Sequence, residues 1–205
     1  MRRRPAPHHH RGCAQALDQA QVFSIYHRAY DANSGGTGVQ FIRAPTTVSI
    51  DAHSFPALVG FWPLDGDGKD ISGHGLSGKP INADWVAGLY NLAFRFDGDD
   101  AMHVTSTALL DVATVTMSAW VRPVEYDVAG DRGIIMNKEG SYEVGLEDGT
   151  GALQGAFSPC WRWFGTTRVP AHEWTHVAAS YDGVSESHYV AGQLGETDPC
   201  GTAPN

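Results

Sequence analysis

Two glutamates four residues apart, Glu143 and Glu147, come nearest in this sequence to a pair of catalytic carboxylates. Glycoside hydrolases use two such groups, about 5–5.5 Å apart when they retain configuration and about 6.5–9.5 Å apart when they invert it. Both glutamates fall on one face of a strand, but Gly145 occupies the place of a middle acid. Asp148-Gly149 beyond them is typical of a hairpin turn. The pattern therefore favours solvated strand carboxylates over hydrolytic chemistry.

The densest aromatic cluster of the chain is Trp161-Arg162-Trp163-Phe164. In an extended segment Trp161 and Trp163 face one way, and Arg162 and Phe164 face the other. Exposed tryptophans form ligand or partner surfaces because each ring offers a large apolar face and a polar edge. We predict Trp161, Arg162 and Trp163 as ligand-binding residues, with tryptophans that fill a core as the open alternative.

Two turns concentrate aspartates with glycines, at residues 65–70 and at residues 97–100. Calcium takes six to eight oxygen ligands, and carboxylates with neighbouring carbonyl groups in a turn supply such oxygens. Neither turn has the acid spacing and distal glutamate of an EF-hand loop. A calcium site and a plain Asp-Gly turn are both compatible with these residues.

The chain has three cysteines, so one of them stays unpaired in any intramolecular pairing scheme. Cys160 and Cys200 both follow proline and lie inside or beside the expected folded unit, whereas Cys13 lies in the N-terminal leader. We predict a disulfide between Cys160 and Cys200. Two unpaired thiols in a reducing compartment are the alternative.

The elements that must position these residues have the pattern of strands. Residues 115–121 alternate between Val, Met or Ala on one face and Thr, Ser or Trp on the other. Residues 174–181 alternate in the same way, which excludes a helix and separates His172 from His176 by roughly 13 Å. A helical zinc pair is therefore not expected. Apolar runs at residues 58–62 and 92–96 are divided by glycine- and aspartate-rich turns, as in antiparallel sheets.

Several ordered motifs give the chain a family resemblance. These are the aromatic strand that ends in Asp65-Gly66, the runs Asp70-Ile71-Ser72-Gly73-His74-Gly75 and Gly88-Leu89-Tyr90-Asn91-Leu92-Ala93-Phe94, Phe96-Asp97-Gly98-Asp99-Asp100, and the strands that begin at Val115 and Glu173. Over residues 57–192 the sequence resembles a laminin-G-like domain of the concanavalin-A-like lectin/glucanase superfamily. The resemblance implies an all-β, antiparallel jelly-roll sandwich of two sheets.

The same resemblance implies a structural calcium ion, for which Asp70, Asp97 and Asp99 are the expected ligands. It also implies a noncatalytic binding or adhesion module, which recognises a carbohydrate or a cell-surface protein as part of a larger extracellular protein. The alternatives are a catalytic domain related to glycoside hydrolases and a purely structural spacer. Nothing in the sequence frames a nucleophile elbow or an oxyanion hole.

The organisation expected from composition has four parts. Residues 1–15 form a disordered leader, residues 16–36 a short helix that resembles the tail of a preceding repeat, and residues 37–56 a linker. The sandwich follows over residues 57–205, and the family resemblance implies that it lacks one or two C-terminal strands. An unpaired sheet edge would then be open to a strand from residues 39–42, from residues 48–50 or from another chain.

Charge and hydropathy restrict the partners. The net charge of −9 offers no basic stripe beyond Arg2-Arg3-Arg4, so we expect no nucleic-acid partner. No apolar run reaches the roughly 20 residues that span a bilayer, so we expect no membrane insertion. The start of the chain has no apolar segment typical of a secretory signal. The extracellular location therefore stays an expectation from the resemblance.

Overall fold

The computed structural model describes residues 17–26, 58–82, 84–96, 100–126 and 132–199, and for residues 17–26 it describes the backbone alone. These residues form an all-β structure, as predicted, with one short 3-10 helix at Ala108–Leu110. The strands are β1 (Leu17–Tyr26), β2 (Leu58–Trp62), β3 (Gly78–Ile81), β4 (Asp84–Ala87), β5 (Leu92–Arg95), β6 (Ala101–Val104), β7 (Val115–Pro123), β8 (Gly133–Lys138), β9 (Tyr142–Leu146), β10 (Leu153–Phe157), β11 (Thr175–Tyr181), β12 (Ser185–Val190) and β13 (Gln193–Pro199). No helix among the described residues has the length and apolarity to cross a membrane.

Three antiparallel sheets build the sandwich. The large sheet has the order β13-β12-β11-β7-β1-β5-β4, and β2 also pairs with β1. The small sheet has the order β10-β9-β8, and β3 and β6 form a separate two-stranded ribbon. The small sheet packs against the large one through contacts of β10 with β11 and β12.

The core lies between the large and small sheets, and the predicted alternation determines what it contains. Strand β7 buries its odd-numbered residues from Val115 to Pro123, and β11 buries Thr175, Val177, Ala179 and Tyr181. The core also takes apolar side chains from β9 and β10, including Val144 and Phe157. Both strand predictions are confirmed. The opposite face of β7 is half-buried, and there Trp120 packs edge-on against His176.

The helix predicted for residues 16–36 is wrong over residues 17–26. They form strand β1 where the sequence predicted a helix, and β1 lies inside the large sheet between β7 on one side and β2 and β5 on the other. The run Val22-Phe23-Ser24-Ile25-Tyr26 is rich in β-branched and aromatic residues, and pairing with two neighbours favours the extended form over helical spacing. The predicted boundary at residue 57 therefore does not separate this segment from the sandwich.

The structure describes most of the C-terminal end of the predicted organisation, but it does not describe the N-terminal leader. Residues 193–199 form β13, which pairs with β12 in a tight hairpin at the edge of the large sheet. The segments at residues 39–42 and 48–50, which were candidates to complete the sheet, lie outside the described residues, as does the leader at residues 1–15.

Candidate functional site

The connection between β10 and β11 carries the aromatic cluster and folds back over the small sheet. Gly155 and Phe164 exchange two backbone hydrogen bonds, of 3.2 and 3.1 Å, so the connection runs antiparallel to β10. The Trp161 N–H donates to the Phe157 carbonyl over 2.8 Å, and Trp161 has a positive φ of 46°. The Trp161 side chain is 40% exposed, and Trp163 is half-buried. Neither tryptophan belongs to the core.

Trp163 stacks on Arg132, a residue that no pattern in the sequence indicates. The guanidinium carbon lies 4.5 Å from the centroid of the indole ring, which is a cation–π contact. The Arg132 Nε donates to Gln154 Oε1 over 3.0 Å, and Gln154 Nε2 donates to the Gly165 carbonyl over 3.1 Å. The amide of Gln154 thus links the arginine below the ring to the segment that carries the ring. This chain of contacts fixes the position of Trp163 over β10.

The outward face of the small sheet continues this polar surface. Asn137 and Glu143 are opposite each other on β8 and β9, and Asn137 Nδ2 donates to Glu143 Oε1. Glu143 is buried, whereas Asn137 is exposed. Gly145, next along the same face, lies between Ile134 and Gln154, and the Ile134 side chain and the Gly133 carbonyl occupy the position where a Cβ would lie. We call Arg132, Asn137, Glu143, Gln154 and Trp163 the small-sheet site.

The residues on the other side of the aromatic segment point towards β12 and β13, in agreement with the expected alternation. Arg162 forms an ion pair with Asp198, and the Phe164 ring lies 5.8 Å from the His188 ring. Thr166 donates its backbone N–H and its hydroxyl to the carboxylate of Glu196. The structure therefore separates Arg162 from Trp163, and the two predicted ligand residues belong to different surroundings.

Two titratable side chains are buried beneath this segment, on the inward face of β12. Glu186 is 4% exposed and His188 is 1% exposed. Within the described part of the chain, Glu186 Oε1 and both His188 ring nitrogens have no hydrogen-bond partner. Burial raises the pKa of Glu186 to about 7, although the charge of Arg162 acts in the opposite direction. Burial lowers the pKa of His188 to about 4, against the opposing influence of Glu196.

Asp70, the predicted calcium ligand that the structure describes, works as an internal acceptor. Oδ1 accepts from the backbone N–H groups of Phe61 and Ser72, at 3.0 and 2.8 Å. Oδ2 accepts from the Ser72 hydroxyl and the Leu76 N–H, at 2.9 and 2.8 Å. Burial acts to raise the pKa of Asp70, but these donors outweigh it and the pKa is lowered.

Asp97 and Asp99, the other predicted calcium ligands, lie outside the described residues. Among the described residues, no group of three or more His, Cys, Asp or Glu side chains is arranged to hold a metal ion. Four donors already occupy the Asp70 carboxylate, which has about four lone-pair positions. The calcium site with Asp70, Asp97 and Asp99 as its ligands therefore stays a prediction.

Cys160 is disulfide-bonded. Cys200 and Cys13, the other two cysteines, both lie outside the described residues, so the pairing of Cys160 with Cys200 stays a prediction. The carboxylate pair considered for hydrolysis is engaged within the protein, because Glu143 accepts from Asn137 and Glu147 accepts from the Thr150 hydroxyl over 2.6 Å.

The fold and the polar face of the small sheet define a β-sandwich of the lectin and glucanase type. The family model Laminin_G_3, described as the concanavalin A-like lectin/glucanases superfamily, matches residues 96–205, which is more than half of the chain. The chain belongs to this family, as the resemblance implied. No curated protein matches it significantly.

A solved structure shares the fold. It is domain 4 of AbnA, an extracellular GH43 arabinanase from Geobacillus stearothermophilus, in complex with arabinotriose. The match has a TM-score of 0.50 at 16% sequence identity, and it covers 91% of this chain and 78% of that one. At this identity the likeness concerns the fold alone.

Proposed function

We propose that this chain is a noncatalytic carbohydrate-binding module, and that Trp161 and the small-sheet site bind the sugar. The observation that carries the proposal is the indole ring of Trp163, which stacks on Arg132, while Gln154 links Arg132 to the segment that carries the ring. The small sheet that Arg132 and Gln154 belong to also carries an exposed amide, Asn137, and a buried carboxylate, Glu143. Aromatic rings pack against the C–H faces of sugars, while amide and carboxylate groups hydrogen-bond the hydroxyl groups. A ring that is already fixed loses little conformational entropy on binding.

The comparisons support a carbohydrate as the ligand. The family to which the chain belongs includes lectins and glucanases, and the related arabinanase domain was solved with arabinotriose. In this proposal the chain is part of a larger extracellular protein, and its broader class of ligand is a cell-surface glycan or glycoprotein. The disulfide at Cys160 supports an oxidising compartment, since disulfides persist mainly in exported proteins.

The noncatalytic part of the proposal rests on the state of the carboxylates. Glu143 is bonded to Asn137, and Glu147 is bonded to Thr150 beyond the end of the strand. A general acid and a nucleophile or base would both have to approach one glycosidic bond. The described carboxylates of the small sheet are instead arranged to accept hydrogen bonds.

The test compares tryptophan variants in binding to polysaccharides. Soluble arabinan, xylan and β-glucan are titrated into the protein by calorimetry, and insoluble polysaccharides are used in sedimentation assays. Trp163→Ala is expected to weaken binding of the recognised polysaccharide at least tenfold, which corresponds to about 1.4 kcal/mol. Trp161→Ala is expected to weaken it as well, because its ring is the more exposed of the two.

Trp120→Ala is the matched control, because Trp120 is also half-buried but lies on the opposite face of the large sheet. Equal losses in Trp120→Ala and Trp163→Ala would contradict the assignment of the site. Reducing ends are measured after prolonged incubation with the bound polysaccharide. Release of reducing sugar that Glu143→Gln abolishes would replace the binding proposal by the hydrolase alternative.

A further inference from the structure

A second concave site lies at one end of the sandwich, apart from the small-sheet site. It is a cavity of about 250 Å³. The start of β7, the β8–β9 turn, the end of β10 and the end of β11 surround it. The residues that line it include Asp111, Ser141, Tyr142, Phe157, Ser158 and Tyr181.

The floor of this end cavity is aromatic. Tyr142, Phe157 and Tyr181 are all buried core residues, and the rings of Phe157 and Tyr181 stack with centroids 5.5 Å apart. The Tyr142 hydroxyl donates to the Leu110 carbonyl over 3.2 Å. Burial and then the charge of Asp111 raise the pKa of Tyr142 to about 12, so this phenol keeps its proton at neutral pH.

The rim of the end cavity is polar, and Asp111 is the charged residue among those that line it. The exposed carboxylate of Asp111 forms an ion pair with the ammonium group of Lys138. The hydroxyl-bearing residues Ser141 and Ser158 are joined by a backbone hydrogen bond of 2.8 Å, so they hold fixed positions at the mouth. Gly140 has a positive φ of 73°, and no atom lies within 4 Å of where its Cβ would be, so the mouth is open at this turn.

The size and chemistry of the cavity restrict its ligand. Pockets for drug-sized ligands usually have about 300–1,000 Å³, so a cavity of about 250 Å³ holds a single ring. The floor is made of buried aromatic side chains, and the hydroxyl, carboxylate and ammonium groups of the rim both accept and donate hydrogen bonds. Since Asp111 and Lys138 neutralise each other, neither a cation nor an anion is favoured.

We propose that the end cavity binds one neutral sugar residue, as a second site beside the small-sheet site. In this arrangement Asp111 accepts from two neighbouring hydroxyl groups of the sugar, and Lys138 and the serines complete its hydrogen bonds. The proposal extends the proposed function and rests on it for the class of ligand. Ser158 precedes Trp163 by five residues, so one segment of the chain contributes to both sites.

The test uses free monosaccharides, which are too small to engage an extended surface. Arabinose, xylose, glucose and galactose are added to the full chain, with glucuronic acid and glucosamine as charged comparisons, and binding is followed by saturation-transfer NMR and calorimetry. At least one neutral sugar is expected to bind at least tenfold more tightly than its charged counterpart. Ala113→Trp, at an exposed rim position, is expected to abolish this binding, and Ala113→Ser is the matched control.

Asp111→Asn provides a second variant, because it keeps the shape of the rim and removes the charge. It is expected to weaken binding of the neutral sugar at least fivefold. The proposal is overturned if no neutral monosaccharide binds, or if Ala113→Trp remains folded by circular dichroism and still binds the sugar normally. Trp163→Ala separates the two proposals. It is expected to weaken polysaccharide binding and to leave monosaccharide binding at the end cavity unchanged. If Trp163→Ala does not weaken polysaccharide binding, the small-sheet site alone is contradicted, and the loss of monosaccharide binding in Ala113→Trp still supports the end cavity.

Discussion

Replacing Glu186 by glutamine is expected to change how the stability of the protein depends on pH. The folded-state pKa of Glu186 is raised from 4.5 to about 7. Between these two values the folded protein holds a proton that the unfolded chain has released. Stability contributed by this group therefore falls as pH rises from 4.5 to 7, by about 1.4 kcal/mol per pH unit and about 3 kcal/mol in all.

His188 acts with the opposite sign over nearly the same range. Its folded-state pKa is lowered from 6.5 to about 4, so between these values the unfolded chain holds the extra proton. Stability from this group rises with pH by a similar amount, about 3 kcal/mol. In the native protein the two contributions offset each other between pH 4.5 and 6.5. Glu186→Gln removes one of them, so that the rise due to His188 becomes visible.

The assay is urea denaturation followed by tryptophan fluorescence at half-unit steps from pH 4 to 8. The difference in unfolding free energy, Glu186→Gln minus native, cancels the groups that both proteins share. It is expected to increase by about 3 kcal/mol from pH 4.5 to 7 and to be constant above pH 7. Glu139→Gln, at an exposed position in the β8–β9 turn, serves as the surface control.

A difference that stays within about 0.5 kcal/mol across the range would refute the reasoning, since surface substitutions commonly change stability by that amount. The reciprocal variant, His188→Gln, sharpens the result. It removes the rising contribution, so its stability is expected to fall from pH 4 to 6.5 relative to the native protein. Curves of the same sign for both variants would show that the two groups do not titrate independently.

Three further substitutions test other parts of the structure by thermal and chemical denaturation. Asp70→Asn places an amide group in front of the Leu76 N–H in place of a carboxylate, and it is expected to lower the free energy of unfolding by about 3 kcal/mol. An equal loss of stability in buffer with calcium and in buffer with chelator indicates a hydrogen-bonding role. A loss of stability that is seen only in the presence of calcium supports the predicted metal. Gly165→Ala is expected to cost about 2 kcal/mol or more, because φ is 137° and the new Cβ would collide with the Leu153 carbonyl; a stable variant would contradict this backbone geometry. Phe157→Ala, at 1% exposure, is expected to cost about 3–5 kcal/mol, and a loss below about 1 kcal/mol would contradict its place in the core.

The central strands could be predicted from the sequence because each has one face in the core. Burial on one side imposes a period of two, and in β7 that period continues through nine residues. The sequence of residues 17–26 does not distinguish a strand from a helix, since Leu17, Val22 and Ile25 also fit one side of a helix. Its strand form depends on pairing with β7, β2 and β5, which are distant in the sequence.

The site could be predicted only where its residues are adjacent in the chain. Trp161 and Trp163 are prominent because aromatic residues cluster there, but Arg132 and Gln154 are 22 residues apart and meet only in the fold. Asn137 is harder still to predict. The register of β8 shifts between Ile134 and Met136, and this irregularity brings Asn137 opposite Glu143. Without the extra residue the amide would face the core.

Strand β1 pairs along both of its edges, yet it precedes the region matched by the family model. The covalent connection through residues 27–57 raises the effective concentration of β1 near the strands with which it pairs. It does nothing more for this pairing, because the hydrogen bonds themselves form between β1 and its neighbours. If proteolysis severed that connection, β1 would become a separable peptide ligand of the sheet. Closure of the sheet would then be a bimolecular equilibrium, and a synthetic peptide of residues 17–26 would compete for the same position.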